Sequence, residues 1–224
     1  MSGIVGNNIV RDGLVFVVDA ADNKSYPGSG TIWYDRSGNG NNGTLTNGPT
    51  FNSANGGSIV FDGSNDIVLT SYKHSSGILS WSVWFKTNVL ADGNYRNILS
   101  VPTPNYILML LNNSSSNFGF WTSDGLGGTS LSTPTLSTGV WYNIVLVREG
   151  NSITNGYKTY VNSVFYGSAN TGTWASTDTL SIGGRTDTTQ YLNGNVSNVL
   201  IYNRALSASE ILQNFTATRK RFNI

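Results

Sequence analysis

Short apolar runs separated by clusters of glycine, asparagine and serine recur along this chain at intervals of about eight to twelve residues, the spacing of a β-sandwich. The runs fall at residues 14–19, 58–62, 67–70, 80–86, 97–101, 106–111, 118–122, 140–147, 157–161, 164–167, 179–182 and 194–202. Asn, Ser, Thr and Gly together make up 105 of the 224 residues, and these favour turns over helix. The 26 aromatic residues supply enough apolar bulk for a core, so the polar excess does not imply disorder.

Side-chain alternation assigns faces within these runs. In residues 80–86, Trp81, Val83 and Phe85 alternate with Ser82, Trp84 and Lys86, so one face is core and Trp84 is an aromatic exception open to a functional role. In residues 141–148 both sets are apolar, namely Trp141, Val145 and Val147 against Tyr142, Ile144 and Leu146, which predicts a central strand covered on both faces. Asn162-Ser163 predicts a two-residue hairpin turn, because Asn tolerates positive φ. Ser207 and Glu210 form a capping-box pattern, with Ile211, Leu212 and Phe215 following at helical spacing. One short C-terminal helix docked through those three residues is expected. No composition break divides the chain, so the expected organisation is an arm over 1–12, one domain over 13–218 and a basic tail over 219–224.

Charge and composition exclude several function classes. Thirteen Lys and Arg against 12 Asp and Glu give a net charge of +1, which provides no general field for nucleic acid or an anionic membrane. The absence of cysteine removes thiol nucleophiles, disulfides and Cys-ligated metals. The first apolar run, 14–18, is bounded by Arg11, Asp12 and Asp19 and is too short for a signal peptide or a membrane span, so a soluble chain made in a cytosol is expected.

Three stretches carry a resemblance. They are Asp35-Arg36-Ser37-Gly38-Asn39-Gly40 with Phe61-Asp62-Gly63; Trp81-Ser82-Val83-Trp84-Phe85 with Trp141-Tyr142-Asn143-Ile144; and Leu180-Ser181-Ile182-Gly183-Gly184 with Val196 through Tyr202 and the capping box. In order and spacing they resemble the LamG-like, concanavalin A-like jelly-roll superfamily over almost the whole chain. The implied fold is an all-β sandwich jelly roll with one short C-terminal helix. Residues 14–22, Lys24-Ser25-Tyr26-Pro27-Gly28 and Trp33-Tyr34-Asp35 are similar to jelly-roll proteins encoded among the virion genes of tailed bacteriophages. That resemblance implies a non-enzymatic structural protein on a particle surface, assembled in the host cytoplasm. A capsid decoration or cement protein is expected, because no heptad or repeat shaft is present to build a fibre. The alternative is a lectin-like tail-fibre or surface adhesin that binds host glycans. The chain departs from the family pattern at Asn162-Ser163, where Asn-Gly is usual, and at Ser197 and Asn198, where an acidic residue is usual.

Candidate chemistry is sparse. Retaining glycoside hydrolysis needs two carboxylates about 5–5.5 Å apart, yet the only glutamates are Glu149, at a turn, and Glu210, in the helix cap. His74 is the sole imidazole and has no orienting partner nearby in sequence. No cofactor is required by this reading; calcium is the one candidate. Residues 35–40 place oxygen side chains at positions one, three and five with Gly sixth, as in an EF-hand, but Thr46 stands at position twelve instead of Glu, which favours a plain turn. The metal alternative is a calcium ion shared by Asp19, Asp35, Asp62 and Asp66. Carbohydrate binding would use aromatic faces beside polar groups, with Trp121 and Asp124, Trp174 and Asp178, and Tyr95 with Asp92 and Arg96 as candidates. Partner contacts with a capsid or other virion protein, or with copies of itself, are expected through a sandwich edge, through Ile4, Val5, Ile9 and Val10 of the arm, or through Arg219, Lys220 and Arg221 of the tail.

Overall fold

The computed structural model describes residues 9–73, 77–102, 107–122, 134–172, 178–187 and 189–224. Two antiparallel sheets pack face to face. The larger runs in the order β13 (Val164–Ala169), β12 (Tyr157–Val161), β11 (Trp141–Glu149), β7 (Ile78–Thr87), β15 (Asn193–Tyr202), β5 (Ser58–Asp62) and β4 (Thr50–Asn52), and β1 (Leu14–Asp19) pairs with the far half of β15. The smaller runs β10 (Phe118–Thr122), β9 (Ile107–Leu111), β8 (Arg96–Val101), β14 (Thr179–Ile182), β6 (Ile67–Lys73), β3 (Gly43–Thr46) and β2 (Ile32–Trp33).

Registry explains the core. Across the smaller sheet, Phe120, Met109, Leu99, Ile182, Val68 and Leu45 lie side by side and are buried. Facing them from the larger sheet is the row Val161, Ile144, Val83, Val199 and Val18. Each such side chain contributes roughly 1.5–3 kcal/mol on leaving water, which outweighs the poor intrinsic order of the polar connections. Trp81, Val83 and Phe85 point into this core as their alternation predicts. Asn162 and Ser163 take φ of 49° and 67° in the β12–β13 hairpin, the left-handed pair that a two-residue turn requires.

The outer face of the larger sheet is also covered, which is why β11 is apolar on both sides. Val145, Val147, Leu200 and Tyr202 carry a second cluster beneath Ile9, Val10, Leu206 and Ile211. Ile9 and Val10 are therefore part of the fold instead of anchors for a neighbour: the Val10 N–H donates to Asn214 Oδ1 at 2.8 Å, and Tyr202 Oη donates to the Val10 carbonyl at 3.0 Å. The covering helix, α1 (Ala208–Thr218), buries Ile211 and Phe215, while Leu212, expected to dock, is 52% exposed. Trp84 is structural too. It stacks between Phe215 and Phe222, and its Nε1 donates to Thr218 Oγ1 at 2.8 Å.

The basic tail is likewise folded. Residues Arg219–Phe222 form a 3₁₀ turn that carries Phe222 onto Trp84 and Trp141, with ring centroids 4.1 and 4.7 Å away. This turn directs Arg221 inward, where Nη1 reaches both Asp19 oxygens at 3.0 and 2.9 Å and Nη2 donates to Ser197 Oγ. Arg219 lies over the Phe215 ring, and only Lys220 of the three remains exposed.

Helix α1 begins with the predicted capping box: the Glu210 N–H donates to Ser207 Oγ at 3.3 Å and the Ser207 N–H donates to Glu210 Oε2 at 2.8 Å. Replacing Ser207 with alanine is expected to lower stability by about 1 kcal/mol in a denaturant melt. The Arg204 guanidinium, bonded to both Glu210 oxygens, with the cap amide adding to it, pulls the Glu210 carboxyl down to about 2. A depressed folded-state value stabilises the fold above the ordinary Glu range near ~4.3, and that contribution fades as pH falls towards about 2. The Ser207→Ala comparison should therefore be made at pH 7, where Glu210 is ionised and the Arg204 and backbone bonds to it are intact.

Gly194 opens β15 where backbone crowds it: a Cβ there would lie 2.1 Å from the Lys86 carbonyl oxygen on β7. Gly194→Ala is expected to cost about 1–3 kcal/mol, measured by thermal melt, because that contact is backbone and cannot swing aside.

Candidate functional site

The four aspartates proposed for calcium do not form one site. Asp19 is fully buried and bound by Arg221. Asp35 is filled by donors of its own loop and of β1, accepting from the N–H groups of Val17, Ser37 and Asn41 and from Ser37 Oγ at 2.8–3.0 Å. Asp62 accepts from the Ser64 N–H within its turn, and Asp66 accepts from the Asp62 N–H. Burial pushes the Asp66 carboxyl up. Among the described residues no three His, Cys, Asp or Glu side chains gather to hold a metal ion. Thr46, at the twelfth position of the EF-hand-like run, ends strand β3, so that run is a turn entering a strand. His74, Asp124, Trp174, Ile4 and Val5 lie outside the described residues.

Two aromatic candidates that are far apart in sequence come together. Tyr95 precedes β8 and Trp121 lies on β10; their ring centroids are 5.5 Å apart with planes tilted by 56°. Registry makes this possible. Trp121 pairs with Leu108, and Leu108 pairs with Ser100, in the row that alternates with the core row and so points away from it. Leu110, opposite Gly119 and Asn97, belongs to the same outer face. Leu108 and Leu110 form an apolar floor, each 2% exposed, beneath the two rings. Arg185 and Gln190 complete a cleft of about 130 Å³.

Residues 183–187 and 189–192 reach this face because the strand end is tied down by its own polar groups. Ser100 Oγ and Ser181 Oγ both donate to the Gly184 carbonyl at 2.8 Å, and Asn97 Nδ2 donates to Gln190 Oε1 at 2.8 Å. At the rim, Arg185 pairs with Asp187 at 2.5 Å. Arg96 gives Nε and Nη2 to one Asp92 oxygen, Oδ2, and Nη1 to the Tyr191 carbonyl, and its bonds hold the Asp92 carboxyl below the usual range. Asp92 and Arg96, named with Tyr95 from the sequence, are not among the residues lining the cleft, while Leu108, Leu110, Arg185 and Gln190, which line it, were not singled out by sequence. The five-residue run 107–111 held the missed signal: it is apolar on both alternating sets, so its outward leucines require a cover or a use.

Both glutamates are engaged elsewhere. Glu149 Oε1 lies 2.5 Å from Lys158 Nζ, and Glu210 serves the cap.

Two antiparallel sheets closed over a common core, with the last strand spanning the centre of one and a helix behind it, define a jelly roll of the concanavalin A-like type. The chain belongs to the concanavalin A-like lectin/glucanases superfamily, whose Laminin_G_3 family model matches residues 61–212. Solved structures of similar fold include domain 4 of AbnA, a GH43 extracellular arabinanase from Geobacillus stearothermophilus in complex with arabinotriose, at 20% identity and TM-score 0.69 over 90% of this chain and 97% of that one. The Trypanosoma rangeli sialidase in complex with sialic acid matches at 17% identity and TM-score 0.70 over 95% of this chain, which spans 34% of the sialidase. The binding domain of Paraclostridial Mosquitocidal Protein 1 matches at 17% identity and TM-score 0.70, over 92% of this chain and 52% of that one. No curated protein matches the chain.

Proposed function

We propose that this chain is a non-catalytic carbohydrate-binding domain that grips a glycan in the Tyr95–Trp121 cleft. The observation that carries the reading is the pairing of two half-buried rings over an apolar floor, with guanidinium, carboxylate and amide groups at the rim. Sugars present apolar C–H faces edged by hydroxyls, and such a corner answers both. The arabinanase domain of like fold, described with arabinotriose bound, is in keeping with it. The absence of catalysis is supported by the engagement of Glu149 with Lys158 and of Glu210 with Arg204. No cofactor enters this reading, and neither calcium nor a chelator is expected to move the melting temperature. The test is a glycan array together with a polysaccharide turnover assay. Hits that disappear in Trp121→Ala without any product formed support the proposal; an empty array or measurable turnover contradicts it.

The setting we propose is the surface of a bacteriophage particle, where the domain serves as a decoration protein or as an adhesin that presents the cleft. With Ile9, Val10 and Arg221 taken up internally, the contact falls to the sandwich edge at β13, where the consecutive residues Val164, Phe165 and Tyr166 are 57, 52 and 39% exposed. Exposed apolar residues in a row mark an interaction surface more readily than isolated ones. Binding of purified domain to assembled heads, lost in Phe165→Ser, supports a decoration role; equal binding by both proteins contradicts the β13 contact.

A further inference from the structure

We infer that the cleft takes a single, electrically neutral sugar residue, such as the end of a glycan chain, and discriminates against uronic and other acidic sugars. The inference rests on the carbohydrate reading above and narrows it by two observations, size and charge.

Size comes first. The cleft measures about 130 Å³. A cavity of ~150 Å³ holds one six-membered ring, whereas sites for drug-sized ligands run to about 300–1,000 Å³. One ring fills the cleft, and further rings of a chain would lie outside it. The aromatic geometry agrees, since centroids 5.5 Å apart leave no room for a ligand between the rings. Inclined at 56°, they make a corner in which one ring takes the sugar's apolar face and the other meets its edge.

Charge is the second. Arg185 lines the cleft, but its guanidinium is paired with Asp187, Nη2 donating to Oδ2 at 2.9 Å with Nε 2.5 Å from Oδ1. Arg96, next to Tyr95 in sequence but outside the cleft lining, gives Nε and Nη2 to a single Asp92 oxygen, Oδ2. The lining cation, Arg185, therefore arrives with its own carboxylate. A charge-assisted guanidinium–carboxylate pair is strong, so an acidic sugar would have to displace the carboxylate or sit beside it. Neutral hydroxyls can bond to the outer atoms of both partners without breaking the pair.

The test titrates the full chain, followed by tryptophan fluorescence, with glucose, galactose, mannose and N-acetylglucosamine, with their linear di- and trisaccharides, and with glucuronic and galacturonic acid. At least one neutral monosaccharide is expected to bind within threefold of its own trisaccharide, with the matching uronate at least tenfold weaker. Asp187→Asn, in an exposed turn, removes the carboxylate that offsets the Arg185 charge and is expected to raise uronate affinity at least fivefold relative to the neutral sugar, with the melting temperature as the check on folding. A trisaccharide more than tenfold tighter than its monosaccharide overturns the single-residue inference, and a uronate that matches or exceeds the neutral sugar overturns the charge inference. Sugar binding that survives Trp121→Ala overturns the cleft as the site, no binding by any probe overturns the carbohydrate reading, and either result overturns this inference.

Discussion

Arg221→Ala is expected to destabilise the fold by about 3–5 kcal/mol, the cost of removing one partner from a buried ion pair. Asp19 is fully buried on β1, and Arg221 meets both of its oxygens from a turn only three residues from the end of the chain. Burial raises the Asp19 carboxyl despite the opposing pull of the guanidinium. Without Arg221 that rise grows. A carboxyl whose folded-state value lies above its unfolded one destabilises the fold when ionised, so the variant's deficit should be largest above the ordinary Asp range and shrink as pH falls. At about 2–4 °C per kcal/mol for a domain of this size, the melting temperature at pH 7 is expected to drop by about 6–20 °C. Adding Asp19→Asn to Arg221→Ala should restore part of the loss, because it removes the stranded charge. A drop of under about 1 kcal/mol, the worth of a surface pair, would show that the C-terminal turn does not clasp the sheet.

Trp121→Ala should have the largest effect on binding and little on stability. The ring is half-buried on an edge strand, on the side away from the core, so its loss opens no core cavity. Central aromatic anchors cost at least about 2 kcal/mol of binding energy when truncated, which corresponds to roughly 30-fold in affinity. Sugar titration of wild type and variant measures it, with circular dichroism as the control. Tyr95→Phe, which keeps the ring, should lose far less. A Trp121→Ala protein that binds as well as wild type would mean the cleft is not the site.

The strands were legible in the sequence wherever alternation or apolar density marked them; residues 14–19, 58–62, 118–122, 157–161 and 179–182 form strands with the expected bounds. Strands β2, β3 and β4 escaped because Ile32–Trp33, Gly43–Thr46 and Thr50–Asn52 are two to four residues long and sit in glycine- and asparagine-rich surroundings. Their ordering comes from pairing, β3 with β6, β4 with β5 and β2 with β3, which no local pattern reveals. The terminal segments misled for a related reason. Ile9, Val10 and Arg221 read as an arm and a tail because their partners, Asn214, Tyr202 and Asp19, are about 190 to 205 residues away in sequence. Half of the cleft was visible, since an exposed-looking aromatic beside charged residues is a local signal. Its floor and its Arg185–Gln190 wall depend on registry across β8, β9 and β10, and registry is a property of the folded sheet.

A structure of the chain with a bound neutral sugar tests the central claim most directly. The account predicts one pyranose ring over Leu108 and Leu110, against Trp121 and Tyr95, with its glycosidic bond intact. A sugar seated on any other surface, or found cleaved between two carboxylates, would contradict it.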